Sequence, residues 1–292
     1  MDVAVLGATG TGRAVVGHFA GAGHAVRLYD DDASAVMDAI DDAEREYGVD
    51  ATESVDGTTG LESAVGGADL VVDAGDDPER DRRERLAAAE ELIDRETLVA
   101  VGDPRTSVTA VAAGLRRPDR AVGIHVVDDD ASVVEVVVAD ATTADARDRA
   151  VEIVEDLGAT PVVVGDAPGL ASARLELAAV VEAIRLVEEG VAAVEDVDAA
   201  MERGRGRERG PLARADEMGL DRVLEGLDDL TDRLDGRFEP PGLLREKVAD
   251  GDLGVRTGTG FYEWEDGERA GPADPNPGVE VRSAAPENPD EL

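Results

Sequence analysis

Val3-Ala4-Val5-Leu6-Gly7-Ala8-Thr9-Gly10-Thr11-Gly12 passes from a short apolar run directly into a glycine-rich turn. Such a run reads as a buried strand, and the segment after it opens a helix, so the glycines form the joint between the two. A second apolar run, Ala25 to Tyr29, ends in Asp30, 23 residues beyond Gly7. This is the spacing of a dinucleotide-binding βαβ unit. Gly7 permits the tight turn, Gly12 lets helix and sheet approach closely, and the helix N-terminus offers amides and a positive dipole end to a pyrophosphate. Gly7, Thr9, Gly10, Thr11 and Gly12 are therefore expected to cradle the cofactor. The Asp30 carboxylate is expected to accept from ribose hydroxyls and to repel a 2'-phosphate, which favours NAD over NADP. The middle glycine of GxGxxG is Thr9, with an extra glycine at Gly10, so the backbone approaches the pyrophosphate less closely or through a shifted turn.

Valine-rich runs continue at Leu70 to Asp73, Thr97 to Val101, Ala121 to Val127, Val133 to Val138 and Pro161 to Val164, separated by segments of helical period. The alternation predicts an α/β fold, a Rossmann-type, mostly parallel sheet over residues 1–166. Beyond Gly165 no convincing strand follows, and LELAAVVEAIRLVEEGVAAVEDVDAAM and ADEMGLDRVLEGLDDLTDRL predict an all-helical second domain over 167–264. From Glu265 the chain is rich in Pro, Gly and charge, and residues 265–292 are expected to form a disordered acidic tail.

Among 292 residues, Asp and Glu number 67 against 29 Lys and Arg, a net charge of -38. The acidic residues are spread along the whole chain, Lys247 is the sole lysine, and aromatics make up 2%. The pattern is similar to that of proteins from extreme halophiles, because molar salt screens a surface that would otherwise repel itself. Nucleic acid and anionic lipid are excluded as partners on the same ground. Cysteine is absent, which excludes disulfides, zinc-thiolate sites and thiol nucleophiles. No stretch approaches the roughly 18 apolar residues of a membrane span, and the opening MDVAVLG is strand-like, so a cytoplasmic protein is expected. The runs Asp30-Asp31-Asp32 and Asp128-Asp129-Asp130 read as solvated faces without calcium-loop spacing, and no metal site is expected.

His18 and His24 flank the first helix in surface or packing roles, whereas His125 closes the apolar run Ala121 to Ile124. Glu135 interrupts Val133-Val134-Glu135-Val136-Val137-Val138. A carboxylate in a buried strand costs several kcal/mol unless it is paired, and the neighbouring run supplies an imidazole. A His125–Glu135 dyad satisfies both groups. In a catalytic dyad the carboxylate fixes the ring tautomer, and the other ring nitrogen takes a proton from an alcohol as hydride departs. The alternative is a satisfied buried pair with no catalytic duty. The opening Gly7-Ala8-Thr9-Gly10 also suits atypical short-chain dehydrogenases, but that class uses Tyr-x-x-x-Lys, and Leu243 lies four residues before Lys247.

Over nearly everything before the tail the chain resembles the 3-hydroxyacyl-CoA dehydrogenases, including the 3-hydroxybutyryl-CoA enzymes. The resemblance is carried by Glu182-Ala183-Ile184-Arg185-Leu186-Val187-Glu188-Glu189-Gly190, Glu195-Asp196-Val197-Asp198, Gly210-Pro211-Leu212 and Thr257-Gly258-Thr259-Gly260-Phe261-Tyr262. Arg117 to His125 places His125 on the family's catalytic histidine and Glu135 on its partner. The resemblance implies an NAD-dependent oxidation of 3-hydroxyacyl-CoA to 3-oxoacyl-CoA, an acyl-CoA substrate in a cleft between two domains, and a homodimer. It also implies that Asp77 and Arg82 lie near the nicotinamide half of the cofactor. Several positions depart from the family pattern. Val126-Val127-Asp128-Asp129 replaces Phe-Phe-Asn-Pro, Pro104 stands for the serine that helps hold the substrate oxygen, and Ala173-Arg174 replaces Asn-Arg. Alternatives are a non-catalytic NAD-binding paralogue and a dehydrogenase of a smaller hydroxy acid whose carboxylate meets Arg82, Arg105 or Arg174.

Overall fold

The computed structural model describes residues 1–8, 10–127, 131–234 and 236–274, apart from the side chains of residues 50 and 51. It divides into two compact units, Met1–Leu170 and Ala171 onward.

The first unit runs β1 (Asp2–Leu6), α1 (Thr11–Gly21), β2 (Ala25–Tyr29), α2 (Ala33–Tyr47), α3 (Val49–Thr52), β3 (Val55–Thr58), α4 (Leu61–Val65), β4 (Leu70–Asp73), α5 (Glu79–Glu90), β5 (Leu98–Val101), α6 (Val108–Ala112), β6 (Ala121–Val126), β7 (Val133–Val138), α7 (Ala144–Asp156) and β8 (Thr160–Gly165). The strands lie in the order β3-β2-β1-β4-β5-β6-β7-β8, all parallel except the antiparallel pair β6–β7. The order reverses between β1 and β4, the point at which a doubly wound sheet leaves a crevice beyond the strand ends. α1 buries Gly12, Val15, Val16, Phe19 and Ala20, a helical stripe that packs with α7 on one sheet face. Leu86 of α5 and Val108 and Val111 of α6 pack on the other. Within this unit the one strand not expected is β3, whose Val-Asp-Gly-Thr is half-exposed at the sheet edge and carries no apolar run.

The second unit comprises α8 (Ser172–Glu188), α9 (Val194–Arg205), α10 (Pro211–Met218), α11 (Leu220–Arg233) and α12 (Gly242–Asp250), around a core that includes Ile184, Leu212, Leu227, Leu244 and Phe261. Two buried aspartates tie it together. Asp198 of α9 accepts the amides of Leu212 and Ala213 in the first turn of α10, both at 2.9 Å, and the Tyr262 hydroxyl at 3.0 Å. It thereby caps a helix whose own N-cap residue, Gly210, has no side chain to do so. Asp216 accepts the amides of Phe261 and Tyr262 and the indole Nε1 of Trp264, each at 2.9 Å. A Cβ on Gly260 would lie 2.1 Å from Asp216 Oδ1, so only glycine fits there. Lys247 is buried beside them, its Nζ 5.5 Å from the centre of the Phe261 ring and 3.2 Å from Asp274.

The expectation that the irregular tail begins at Glu265 needs correction. β9 (Tyr262–Glu265) and β10 (Glu268–Pro272) form an antiparallel hairpin. Its turn residues Asp266 and Gly267 have φ of 51° and 82°, the positive values a type I′ turn demands, and Tyr262 and Trp264 point inward. Residues 275–292 of the expected tail lie outside the described residues.

Candidate functional site

The crevice at the sheet's switch point is built from backbone first. Gly7 has φ of 110°, and a Cβ on it would lie 2.4 Å from Gly75 Cα in the turn after β4. A Cβ on Gly12 would lie 1.9 Å from the carbonyl oxygen of Gly7. Any larger residue at either position would force β1, α1 and β4 apart, so the glycines hold the α1 N-terminus close over the strand ends. Gly10 caps α1 with φ of 45° and supplies no side chain, and Thr11 is the first helical residue. Thr9 lies outside the described residues. Asp30, just past β2, accepts the Ala8 amide at 3.0 Å through Oδ2 and the Asp32 amide at 3.0 Å through Oδ1, which fixes its carboxylate against the turn. Tight turn, open helix end and fixed carboxylate suit the pyrophosphate and ribose of NAD.

Gly10 and Thr11 share a cavity of about 670 Å³ with Asp103, Pro104, Arg105 and His125. His125 and Glu135 are directly opposite residues of the antiparallel pair β6–β7. Such residues present their side chains on the same sheet face. Here alternation sets both on the face opposite Val122, Ile124, Val134 and Val136. Glu135 is 1% exposed and His125 is half-buried. Burial pushes the imidazole pKa below its usual value, while the charges of Glu135 and Asp103 pull it upward. His18 lines the same cavity and packs edge-on against Tyr47 at 5.8 Å. The Asp128 to Asp130 run lies outside the described residues.

Asp77 and Arg82 occupy unlike positions. Asp77 is partly exposed and accepts Arg85 Nη1 at 2.6 Å. Arg82 lies in the interior with 1% exposure. Its Nη1 donates to Asp73 Oδ2 at 3.3 Å, its Nη2 to Asp103 Oδ2 at 2.8 Å and to the Gly75 carbonyl, and its Nε to the Asp77 carbonyl at 2.9 Å. Its role is thus to tie the turn after β4 to the loop after β5. Burial works against the Asp103 carboxylate, but the Arg105 amide and the Arg105 and Arg82 guanidiniums outweigh it and hold its carboxyl below the ordinary value. Sequence reasoning missed Asp73 and Arg85 as members of this cluster. The signal was present: Asp73 ends the fully buried strand Leu70–Asp73 and needs a cation as much as Glu135 needs a partner. Arg82 and Arg85 stand three residues apart on the following helix.

Comparison with known proteins agrees with the geometry. Residues 2–167 match the model of the 3-hydroxyacyl-CoA dehydrogenase NAD binding domain, and residues 169–264 match that of the 3-hydroxyacyl-CoA dehydrogenase C-terminal domain. A probable 3-hydroxybutyryl-CoA dehydrogenase of Bacillus subtilis is 30% identical over 280 residues, which cover 91% of this chain and 98% of that protein. The 3-hydroxybutyryl-CoA dehydrogenase of Clostridioides difficile is 28% identical over 280 residues, covering 90% and 99%. Among solved structures, the (S)-3-hydroxybutyryl-CoA dehydrogenase of Ralstonia eutropha superposes with a TM-score of 0.83 at 25% identity, covering 91% of this chain and 99% of that one. With a Rossmann-type NAD-binding unit followed by a helical unit, the chain belongs to the 3-hydroxyacyl-CoA dehydrogenase family of NAD-dependent oxidoreductases.

Proposed function

We propose that the chain oxidises 3-hydroxyacyl-CoA to 3-oxoacyl-CoA with His125 as general base and Glu135 as its positioning residue. The observation that carries this reading is the placement of His125, opposite a buried carboxylate at the end of β6, in the same cavity as the first turn of α1. NAD, when bound, supplies the acceptor for the hydride that leaves the hydroxyl-bearing carbon. Gly7, Gly10, Thr11 and Gly12 hold its pyrophosphate and Asp30 its ribose. His125 removes the hydroxyl proton onto a ring nitrogen and becomes imidazolium as the carbonyl forms. The charge of Glu135 stabilises that cation. Because burial lowers the His125 pKa, the ring is neutral and ready to accept a proton at neutral pH.

The test is NADH formation in molar KCl from short and medium 3-hydroxyacyl-CoA thioesters. The native protein is expected to turn over at roughly 1 to 1,000 per second. His125→Ala should lower kcat about 100- to 10,000-fold. Glu135→Gln removes a charge that raises the His125 pKa, so the acid limb of the pH profile should move to lower pH as the rate falls. One feature favours a second reading: Pro104 lines the cavity where a hydroxyl donor to the substrate oxygen is expected, and it has none to offer. Equal, negligible rates for all three proteins with NAD still bound would establish a non-catalytic NAD-binding protein instead.

The same reading includes a homodimer in a salt-rich cytoplasm. A melting temperature that climbs steeply with KCl supports the salt adaptation, and one independent of salt refutes it. Sedimentation in molar KCl reads the assembly.

A further inference from the structure

The one lysine among 29 basic residues stands in the interior of the helical unit, where a charge is costly to bury. An ammonium carries three N–H donors, and each needs an acceptor once water is withdrawn. Among the described residues, Lys247 Nζ meets one acceptor at hydrogen-bond length, Asp274 Oδ2 at 3.2 Å. Asp252 Oδ2 stands off at 4.0 Å, and the oxygens of Asp216 are taken by the amides of Phe261 and Tyr262 and by the Trp264 indole. Asp274, two residues past β10, has a side chain 82% exposed, so the close counter-charge of a buried cation comes from the solvent side. Lys247 and Asp274 line a cavity of about 350 Å³, a size that suits a small molecule. Its other walls include Val187 near the end of α8, Val194 at the start of α9, Leu243 of α12 and Phe261. Two acids border it as well: Glu188 Oε1 is bound to the Leu243 amide at 2.8 Å, and Glu246 is exposed. The cavity therefore joins aliphatic walls to a single cation with donors to spare.

We propose that this cavity binds a short aliphatic monocarboxylate, its carboxylate taken by Lys247 in place of Asp274 and its alkyl chain lying against Val187, Val194, Leu243 and Phe261. A neutral alkyl chain would leave donors of Lys247 unmet, and an inorganic anion would leave the apolar walls wet. An alkyl carboxylate answers both halves. Asp274 then acts as a tethered competitor, holding the anion position through a bond that solvent weakens. A compact ammonium can turn its donors from one acceptor to the next, which a planar guanidinium fork cannot do as freely. All these residues belong to the helical unit, so the inference does not draw on the oxidation reading.

Because the chain has a single lysine, isotope-labelled lysine gives one ε-methylene resonance, which reports on Lys247 alone. The full chain in molar KCl is titrated with hexanoate, and with hexanamide as the neutral control, by magnetic resonance and by calorimetry. Hexanoate should shift the Lys247 resonance and bind about 10- to 100-fold more tightly than hexanamide. Asp274→Asn removes the competitor and should tighten hexanoate about 3- to 10-fold, whereas Lys247→Met should weaken it about 10- to 100-fold. Melting curves establish that both variants fold, and if Lys247→Met does not, the lysine resonance and Asp274→Asn decide. Absence of both shift and heat at about 10 mM hexanoate, in the native protein and in Asp274→Asn alike, overturns the proposal and leaves Lys247–Asp274 as a structural latch. Equal affinity for acid and amide overturns it in favour of simple apolar filling. Hexanoate binding that survives Lys247→Met unchanged overturns it by placing the acid elsewhere.

Discussion

The sheet unit and the helical unit both bury carboxylates, and they hold them with unlike partners. In the sheet unit Asp73 and Asp103 face the guanidiniums of Arg82, Arg85 and Arg105. In the helical unit Asp198 and Asp216 are held by backbone amides, a phenol and an indole. Ion pairs between side chains tie together segments distant in sequence and place cations near a ligand cavity. Amide donors cost no second desolvated charge, and they fix backbone, as the seam between α10 and the β9–β10 hairpin requires. Close arginine–carboxylate bonds thus gather near the ligand cavity, whereas the buried aspartates of the helical unit rest chiefly on amide, phenol and indole donors, with Arg269 at 3.7 Å from Asp198 and Lys247 buried nearby.

Removing an acceptor from the helical unit should have the largest effect. Asp216→Ala leaves two buried amides and an indole N–H without an acceptor, and should cost about 4 kcal/mol, since each such group costs about 1–3 kcal/mol. Denaturant titration in molar KCl, followed by the fluorescence of Trp264, the single tryptophan, reads this directly. In the sheet unit, Arg82→Met should cost about 3 kcal/mol, because Asp103 loses one guanidinium and Asp73 keeps only Arg85. A neutral Arg82→Met would mean that desolvation already cancels the buried pairs, and the contrast between the units would collapse.

Acidity should separate Asp216 from Asp103 by sign. Burial pushes the Asp216 carboxyl up to about 6, against the pull of its donors and of Lys247. A raised carboxyl contributes stability that is full below the ordinary value of 3.8 and is lost as pH rises through about 6. Asp103 is lowered, so its contribution is present above 3.8 and is lost as pH falls through its folded value. Trp264 fluorescence should therefore titrate near pH 6 in the native protein and not in Asp216→Asn. No such transition in either protein would show that the three donors keep Asp216 ionised. The smallest effect belongs to the exposed pair Arg80–Glu84, where Arg80→Ala should leave the melting temperature in molar KCl unchanged.

Most of the sheet was legible because buried parallel strands must be nearly continuous apolar runs, as Leu70–Asp73 and Val133–Val138 are. β3 was not, since an edge strand with one polar face needs no such run. The hairpin was obscured by the charge around it, although Asp266-Gly267 beside the alternation of Tyr262 and Trp264 is the local signature of a two-residue turn. At the candidate site, the glycine turn and Asp30 follow from local spacing. The opposition of His125 and Glu135 follows from the cost of burying a lone carboxylate. The Asp73–Arg82–Asp103 cluster joins β4, α5 and the loop after β5, and no local period in the sequence records which arginine turns inward.

The burial of Lys247 has a practical consequence for handling the protein. With the single lysine side chain 7% exposed and engaged with Asp274 and the Phe261 ring, the described residues offer amine-directed reagents no readily accessible lysine. The rate at which an amine-directed dye labels Lys247 under native conditions is therefore a measure of how often the helical unit opens.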